Sequence, residues 1–295
     1  MTVPVRGKSR LDFIKGDVPL KDFTTWNVGG PARFFCQPDS KSQLIRALAF
    51  SRDKELNLKV IGNGSNLLVR DQGFDGMVVR LGPNFGTVTR LGRRLSVAAG
   101  TPLYRLAAAA SEAGSSCFNF LTGIPGTVGG GIVMNAGAFG WTISDYLREI
   151  TYIDSGGNLH KESVTTDCFN YRSSPFQKSE RVIVEACFEL DFQVTQPDMG
   201  KILKDRREKF PYDKPSAGSV FRNPTTVEAT AGQLLDKAGA KGLTVGDAVV
   251  SHKHANFILN KGHATAKNIQ KSIDILREKV YKEFGVTLVT EVMVI

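Results

Sequence analysis

Two glycine-rich stretches limit what this chain can fold into more than any other feature. The first reads Gly62-Asn63-Gly64-Ser65-Asn66, and the second extends from Gly123 to Gly140. Because glycine has no Cβ, such stretches leave backbone N–H groups open to a phosphate or pyrophosphate, which a packed core does not need. Each stretch alone is typical of turns. Two of them, separated by a compact α/β segment, favour binding of a dinucleotide.

Neither stretch is a common nucleotide-binding motif. The first lies between strand-like runs at residues 58–61 and 67–69, and Leu67 stands where a Rossmann fold has its third glycine. The second lacks the Gly-Lys-Ser/Thr ending of a nucleotide-hydrolysing P-loop. The sequence therefore argues against both of these folds.

Helix boundaries follow from capping residues. Ser40 and Thr230 each precede a glutamine three residues later, which predicts N-terminal capping boxes. Further helices are predicted from Thr101 to near Gly114, over about 200–210, and from Thr265 to Phe284 before Gly285. Strands are predicted at residues 147–153, 181–190, 255–259 and from Val286 to the end.

A domain boundary is predicted at residues 211–218, which are rich in proline, glycine and serine. Beyond it, the alternation of the final strand places Glu291 on one face with Val289, Met293 and Ile295. If that face is buried, Glu291 is paired or has a raised pKa suited to acid–base chemistry. If the face is an exposed edge, Glu291 has no special role.

Two other polar residues are weighed in the same way. Arg172 follows Tyr171 in a polar loop, where a surface arginine is the simplest interpretation. Ser219 lies between small residues before an apolar run, but the Gly-x-Ser-x-Gly pattern of a nucleophile elbow is absent there.

Composition narrows the class of protein. With 295 residues, 41% hydrophobic and 23% charged, the chain is expected to be globular, and no apolar run is long enough for a membrane span. The four cysteines are far apart and are expected to be unpaired, and the four histidines have no recognisable metal-binding spacing. A net charge of +9 should attract anions, which makes a basic nucleic-acid-binding protein one hypothesis.

Five ordered motifs together resemble a family, the UDP-N-acetylenolpyruvoylglucosamine reductases of bacterial cell-wall synthesis. They are Gly62-Asn63-Gly64-Ser65-Asn66-Leu67-Leu68, Gly123-Ile124-Pro125-Gly126-Thr127-Val128-Gly129-Gly130, Met134-Asn135-Ala136-Gly137-Ala138, Tyr171-Arg172-x-Ser174-x-Phe176 and Ser216-Ala217-Gly218-Ser219-Val220-Phe221-x-Asn223-Pro224. The resemblance begins at Thr24 and continues to Glu291. It therefore covers nearly the whole chain.

The resemblance implies an α+β fold of three units. Two FAD-binding α/β subdomains of the vanillyl-alcohol-oxidase (PCMH) type, at 1–85 and 86–210, would precede a C-terminal α/β substrate-binding domain at 211–295. The implied activity is reduction of UDP-N-acetylglucosamine enolpyruvate to UDP-N-acetylmuramate in peptidoglycan precursor synthesis, with FAD as cofactor and NADPH as hydride donor.

Site residues are carried over by matching motifs. Arg172 and Glu291 match the residues that stabilise the developing enolate, and Ser219 matches the proton donor. The matching FAD-binding positions are Asn63, Gly64, Ser65, Asn66, Leu67, Ile124, Pro125, Gly126, Thr127, Gly129, Gly130, Asn135, Gly137 and Ala138. The matching substrate-binding positions are Arg207, Asn223, Lys241 and His254. We expect the backbone N–H groups of Asn63–Asn66 and Gly126–Gly130 to bind the pyrophosphate of a non-covalent FAD.

The chain departs from the family pattern in a few places. Arg222 stands where lysine is usual, Phe210 replaces a common glutamine, and a tyrosine-bearing loop found in some members between Arg172 and Ser219 is missing. The N-terminus lacks the apolar segment of an export signal, which predicts a cytoplasmic protein. We expect a monomer without membrane, nucleic-acid or metal partners. A flavin oxidase of the same fold is the other alternative, although neither glycine loop contains a histidine or cysteine for a covalent flavin link.

Overall fold

The computed structural model describes residues 11–295, and residues 1–10, where the sequence predicts no export signal, lie outside the described residues. The chain forms three units, each with its own sheet. Short 3₁₀ helices connect longer elements at Leu20–Phe23, Pro83–Phe85, Asn119–Leu121, Ile143–Tyr146 and Thr166–Cys168.

The first unit is a four-stranded sheet with one helix. Its elements are β1 (Ile14–Pro19), β2 (Pro31–Cys36), α1 (Lys41–Asp53), β3 (Asn57–Ile61), β4 (Leu67–Leu68) and β5 (Phe74–Arg80). The sheet has the order β1-β2-β5-β3, and β5 runs parallel to both of its neighbours. The Ser40 side chain accepts a hydrogen bond from the backbone N–H of Gln43, as the capping signal predicts. The first glycine loop follows β3 directly.

The second unit is an antiparallel five-stranded sheet covered by helices. Its elements are β6 (Val88–Leu91), β7 (Arg94–Ala98), α2 (Leu103–Glu112), α3 (Val128–Val133), β8 (Gly137–Ala138), β9 (Trp141–Thr142), β10 (Leu147–Ile153), β11 (Leu159–Ser163), β12 (Val182–Glu189) and α4 (Met199–Lys209). The sheet order is β11-β10-β12-β7-β6, and β8 pairs with β9 in a separate hairpin. The second glycine-rich stretch is attached to this sheet through α3.

The C-terminal unit packs helices on a small antiparallel sheet. Its elements are α5 (Ala231–Lys237), β13 (Thr244–Val245), β14 (Ala248–Val250), β15 (Ile258–Asn260), α6 (Ala266–Phe284) and β16 (Met293–Val294). Both predicted helix signals are confirmed: Thr230 and Gln233 form a capping box, and Gly285 ends α6 with φ of 67°. The predicted fold class of two α/β subdomains plus a C-terminal α/β domain fits this architecture, and the boundaries at 85 and 210 stay predictions.

The final strand is shorter than the sequence predicts. β16 contains only Met293–Val294, and it leaves its own domain to pair in parallel with β4. Val289 is 59% exposed, so it does not share a buried face with Glu291. The alternation fails as a guide because this segment changes its pairing partner, so its residues pack against two different units.

The first and third units are joined by buried contacts. Trp26 is completely buried within the C-terminal core, where its indole N–H donates to the carbonyl of Ile258 at 2.7 Å. The carboxylate of Asp71 accepts hydrogen bonds from the backbone N–H groups of Ala266 and Lys267, at 2.7 and 2.9 Å. Asp71 thus caps the N-terminus of α6 from another unit.

Within residues 11–295, no helix is long and apolar enough to cross a membrane, and no cluster of three or more potential metal-ligating side chains occurs. The four cysteines are free; Cys36 and Cys117 are buried, and Cys168 is exposed.

Substitution Asp71→Ala should lower the free energy of unfolding by about 1 kcal/mol, because two N–H groups at the start of α6 lose their acceptor. Asp75→Ala is the matched control: among residues 11–295, Asp75 pairs only with Arg33, at an exposed surface. Its loss should cost less than about 0.5 kcal/mol. Urea denaturation measures both values. Equal losses in the two variants would contradict the capping role.

Candidate active site

One cavity of about 1460 Å³ lies among the three units. Both glycine stretches line it, together with Arg172, Ser219 and Glu291. The three candidate catalytic residues come from a loop before β12, from the segment after α4 and from the chain end. The fold therefore brings together residues that are up to 119 positions apart in sequence.

The first glycine loop, residues 62–66, packs so closely against the backbone of Phe23 and Thr24 that a side chain at Gly64 has no room. At Gly64, where φ is +63°, an added Cβ would overlap the carbonyl of Phe23. The backbone N–H groups of Asn63, Gly64, Ser65 and Asn66 donate to no acceptor within residues 11–295. This loop supplies the free donors that anion binding requires.

The two glycine loops touch each other. The Ser65 hydroxyl donates to the carbonyl of Pro125 at 2.8 Å, and a Cβ at Gly62 would lie 2.5 Å from the Thr127 hydroxyl. The loops are therefore one continuous wall of the cavity. A ligand held by one loop also meets the other.

The second stretch corrects a sequence-based expectation. Residues 128–133 form helix α3, and the backbone N–H groups of Val128 and Gly129 donate to Thr101 and Ala99 at 2.8 Å. The N–H of Gly130 is bonded to the Thr127 side chain at 3.3 Å. These N–H groups already have protein acceptors, so the free donors expected here are not available at these residues. Gly129 and Gly130 still line the cavity, where their lack of side chains leaves space.

Arg172 and Glu291 form an ion pair within the cavity. The Arg172 Nε donates to Glu291 Oε1 at 2.8 Å, and Nη2 donates to the carbonyl of Gly137 at 2.9 Å. The two side chains are only 21% and 17% exposed. The guanidinium also lies 5.1 Å from the centre of the Tyr171 ring. The simplest interpretation of the sequence was a surface position for Arg172. The structure instead places its side chain in the cavity.

The backbone at Arg172 is strained. Its φ of +53° is unfavourable for a residue with a side chain, at a cost of about 1–3 kcal/mol. Reciprocal hydrogen bonds between Asn170 and Ser173 close the turn that contains it, and the Gln177 side chain donates to the Arg172 carbonyl at 2.8 Å. These bonds hold the guanidinium toward Glu291.

Burial raises the pKa of Glu291, while the charges of Arg172 and Arg222 act in the opposite direction. Desolvation is the largest of these effects, so the carboxyl keeps its proton to a higher pH than an ordinary glutamate. Arg222 was singled out in the sequence only as a departure from the family pattern. Its proximity to Glu291 could not be inferred from sequence, because no local pattern links the two positions.

Ser219 lies next to the segment that contains Glu291. It follows Gly218, whose φ is +74°, and precedes Val220, whose carbonyl accepts the N–H of Glu291 at 2.8 Å. Ser219 is partly buried and lines the same cavity. The serine hydroxyl and the carboxyl are therefore carried by adjacent, hydrogen-bonded segments.

All but one of the predicted cofactor residues line the cavity. These are Asn63, Gly64, Ser65, Asn66, Leu67, Ile124, Pro125, Gly126, Thr127, Gly129, Gly130, Gly137 and Ala138. Asn135 is not among the lining residues; its amide donates to the carbonyl of Asn170 at 3.0 Å. Asn135 thus supports the turn that presents Arg172.

Of the four predicted substrate-binding residues, one lines the cavity and three do not. Asn223 lines the cavity and accepts the backbone N–H of Ala231 at 3.1 Å. Arg207 is exposed on α4 and does not line the cavity, whereas the neighbouring Arg206 does. Lys241 pairs with Asp236 at 2.7 Å and also lies outside the lining.

His254 stands behind an aromatic wall of the cavity. The rings of Phe210 and Phe257 stack at 5.2 Å and both line the cavity, and His254 contacts both of them without lining it. Burial, and secondarily the charge of Lys241, lowers the pKa of His254. His254 is therefore held neutral near pH 7.

Comparison with known proteins identifies the family. The C-terminal domain of UDP-N-acetylenolpyruvoylglucosamine reductase matches residues 210–295, and an FAD binding domain matches residues 32–163. The chain is 40% identical to the UDP-N-acetylenolpyruvoylglucosamine reductase of Desulforamulus reducens, over 96% of this chain and 95% of that protein. The chain belongs to the UDP-N-acetylenolpyruvoylglucosamine reductase family.

Two further members of the UDP-N-acetylenolpyruvoylglucosamine reductase family agree with this assignment. The protein of Carboxydothermus hydrogenoformans is 41% identical over 94% of this chain and 92% of its own length. The crystal structure of the Thermus caldophilus enzyme has a TM-score of 0.78 and 34% identity, covering 96% of this chain and 99% of that one. The chain is an FAD-dependent oxidoreductase, as the motifs predict, and the predicted fold class is confirmed.

Substitution Gly64→Ala should abolish retention of FAD, because the added methyl would displace the loop whose N–H groups are free. Gly92→Ala is the matched control: Gly92 has φ of +62°, but a Cβ there meets nothing within 4 Å. Both variants carry a similar backbone strain of about 1 kcal/mol. The visible flavin absorbance of the purified proteins separates the two effects, and equal flavin loss in both variants would contradict the role of the first loop.

Proposed function

We propose that this enzyme uses NADPH to reduce the enolpyruvyl ether of UDP-N-acetylglucosamine enolpyruvate, giving UDP-N-acetylmuramate for peptidoglycan synthesis. The observation that carries the proposal is the Arg172–Glu291 pair at 2.8 Å, facing the same cavity as Ser219 and both glycine loops. Membership of the reductase family supports the reaction class. Neither a nucleic-acid-binding protein nor a flavin oxidase accounts for this combination.

The residues of the cavity fit FAD. The free N–H groups of Asn63–Asn66 suit a pyrophosphate, and the side-chain-free surface of the glycine loops leaves room for close approach. FAD bound there would supply hydride transfer from NADPH to the β-carbon of the enol ether. All other steps are assigned to side chains of this chain.

Arg172 and Glu291 stabilise the charge that develops on the substrate. Addition of a hydride at the β-carbon produces negative charge at the α-carbon and its carboxylate. The guanidinium of Arg172 neutralises this charge, whereas an ionised Glu291 would repel it. Burial, which raises the pKa of Glu291, favours the protonated carboxyl, and this form would donate a hydrogen bond to the enolate. An ionised Glu291 would act instead through its hydrogen bond to Arg172.

Ser219 delivers the last proton to the α-carbon. A serine hydroxyl is a weak acid in water, so it needs neighbours that polarise it in a site with little water. The backbone bond between Glu291 and Val220 puts Ser219 and Glu291 on adjacent segments, and we assign this polarising role to the Glu291 carboxyl. Arg206, which lines the cavity with its Nε buried and unpaired, is the cation we assign to the substrate diphosphate in preference to Arg207.

The enzyme acts, in this proposal, as a cytoplasmic monomer on small-molecule substrates. Its net charge of +9 suits the anionic UDP-sugar and NADPH as well as it suits nucleic acid. Asn223 at the cavity, His254 behind the aromatic wall and Lys241, whose charge acts on His254, are assigned to the region that binds the UDP-sugar.

Substitution Ser219→Ala should separate the two half-reactions. Reduction of the flavin by NADPH involves no proton at the substrate α-carbon and should keep a rate within about threefold of the wild type. Reoxidation by the enolpyruvyl substrate should slow by about 10²- to 10⁴-fold, the usual contribution of one positioned acid. Stopped-flow absorbance measures both rates, and equal damage to both would mean that Ser219 supports the fold or the flavin.

NADPH and the UDP-sugar should use the flavin in turn, because one cavity serves both. Initial-rate plots at several fixed NADPH concentrations should therefore give parallel lines, typical of a ping-pong mechanism. Intersecting lines, together with binding of both ligands at once, would show separate binding sites.

A further inference from the structure

The chain end joins the two halves of the active site. Residues 289–295, here called the C-terminal strap, first run along the segment that contains Ser219. The N–H of Glu291 donates to Val220 at 2.8 Å, and the N–H of Arg222 donates to Val289 at 2.9 Å. This part of the strap belongs to the C-terminal domain.

The second half of the strap is attached to the first glycine loop. The N–H of Met293 donates to the carbonyl of Asn66 at 3.0 Å, and the N–H of Ile295 donates to Leu68 at 3.0 Å. The side-chain amide of Asn66 donates to the backbone carbonyl of Glu291 at 3.1 Å. Asn66 therefore holds the strap at two points, on either side of Val292.

Glu291 lies where the strap changes partner. Its N–H is bound to the C-terminal domain, its carbonyl is bound to the first glycine loop, and its carboxyl is bound to Arg172 of the second subdomain. Removing the Asn66 attachment would loosen the backbone that carries the carboxyl, although the bonds to Val220 and Arg172 remain. The Asn66 side chain is the only one of the three that connects Glu291 to the loop proposed to bind pyrophosphate, among the described residues.

We propose that Asn66 is a positioning residue for Glu291, which couples the glycine loop to the carboxyl that meets the enolate. The inference rests on the proposed function. The sequence assigned Asn66 to cofactor binding, but its amide is already bonded to Glu291, and its backbone N–H is the group left free for a ligand. The amide acts through geometry, since it carries no charge.

The test is the variant Asn66→Ala, measured by three readouts. FAD affinity, from titration of the apoprotein, should stay within about threefold of the wild type, and so should flavin reduction by NADPH. Reoxidation by the enolpyruvyl substrate should fall by about 10- to 100-fold, the effect expected from a small displacement of a catalytic group. Hydrogen exchange at the amides of residues 291–295 should become at least about tenfold faster, because the strap loses one attachment.

The same substitution in a Glu291→Gln protein shows whether Asn66 acts through Glu291. In a Glu291→Gln protein, which keeps the backbone carbonyl, the added Asn66→Ala should slow reoxidation by less than about threefold, because the carboxyl to be positioned is gone. If the 10- to 100-fold loss persists there, or FAD binding weakens by more than about tenfold, Asn66 contacts the cofactor and the inference is overturned.

A control variant and a replacement variant allow the result to be interpreted. Asn119 also donates its side-chain amide to a backbone carbonyl, that of Pro197, at 3.1 Å, and Asn119 does not line the cavity. Asn119→Ala should therefore leave reoxidation and hydrogen exchange in the strap unchanged. If Asn66→Ala does not fold, Asn66→Leu, which is close in size, uncharged and without the donor, takes its place with the same expectations. Absence of turnover in the wild type would refute the proposed function alone, and unchanged strap exchange in the Asn66 variant would refute the inference alone.

Discussion

A carboxyl group held away from water beside a guanidinium is the constraint on which the site depends. Glu291 and Arg172 belong to different units of the fold, and each side chain is mostly buried. An ion pair of this kind is costly to desolvate and is useful only when both partners are held firmly. The fold meets this need by fixing each partner separately, with a strained and hydrogen-bonded turn at Arg172 and the C-terminal strap at Glu291.

Other contacts between the units connect them into one site. Trp26 and Asp71 of the first unit bind the C-terminal domain, and the strap returns from that domain to β4. Ser65 joins the first glycine loop to the second. The cofactor loops, the proton donor and the acid are therefore positioned by hydrogen bonds that join each pair of units.

Local signals predicted a large part of this structure. The capping residues of α1, α5 and α6 and the loop after β3 could be placed because their conformations depend on neighbouring residues alone. The pairing of β16 with β4 could not, because 226 positions separate Met293 from Leu67 and no local pattern specifies such a contact. Helix α3 was missed because its three consecutive glycines disfavour helix, and its packing overrides that propensity. Motif resemblance brought Arg172, Ser219 and Glu291 together, but it did not indicate the contact between Asn66 and Glu291.

The most direct test of this account is the pKa of Glu291, measured by carbon-13 NMR of labelled glutamate carboxyls, with Glu291→Gln identifying the resonance. Burial outweighs the attraction of Arg172, so the wild-type pKa should lie above that of an ordinary glutamate. It should rise further in Arg172→Met, which removes the charge and keeps an apolar side chain in place. A wild-type pKa at or below the ordinary value would mean that burial does not outweigh the charge of Arg172, and would contradict the account.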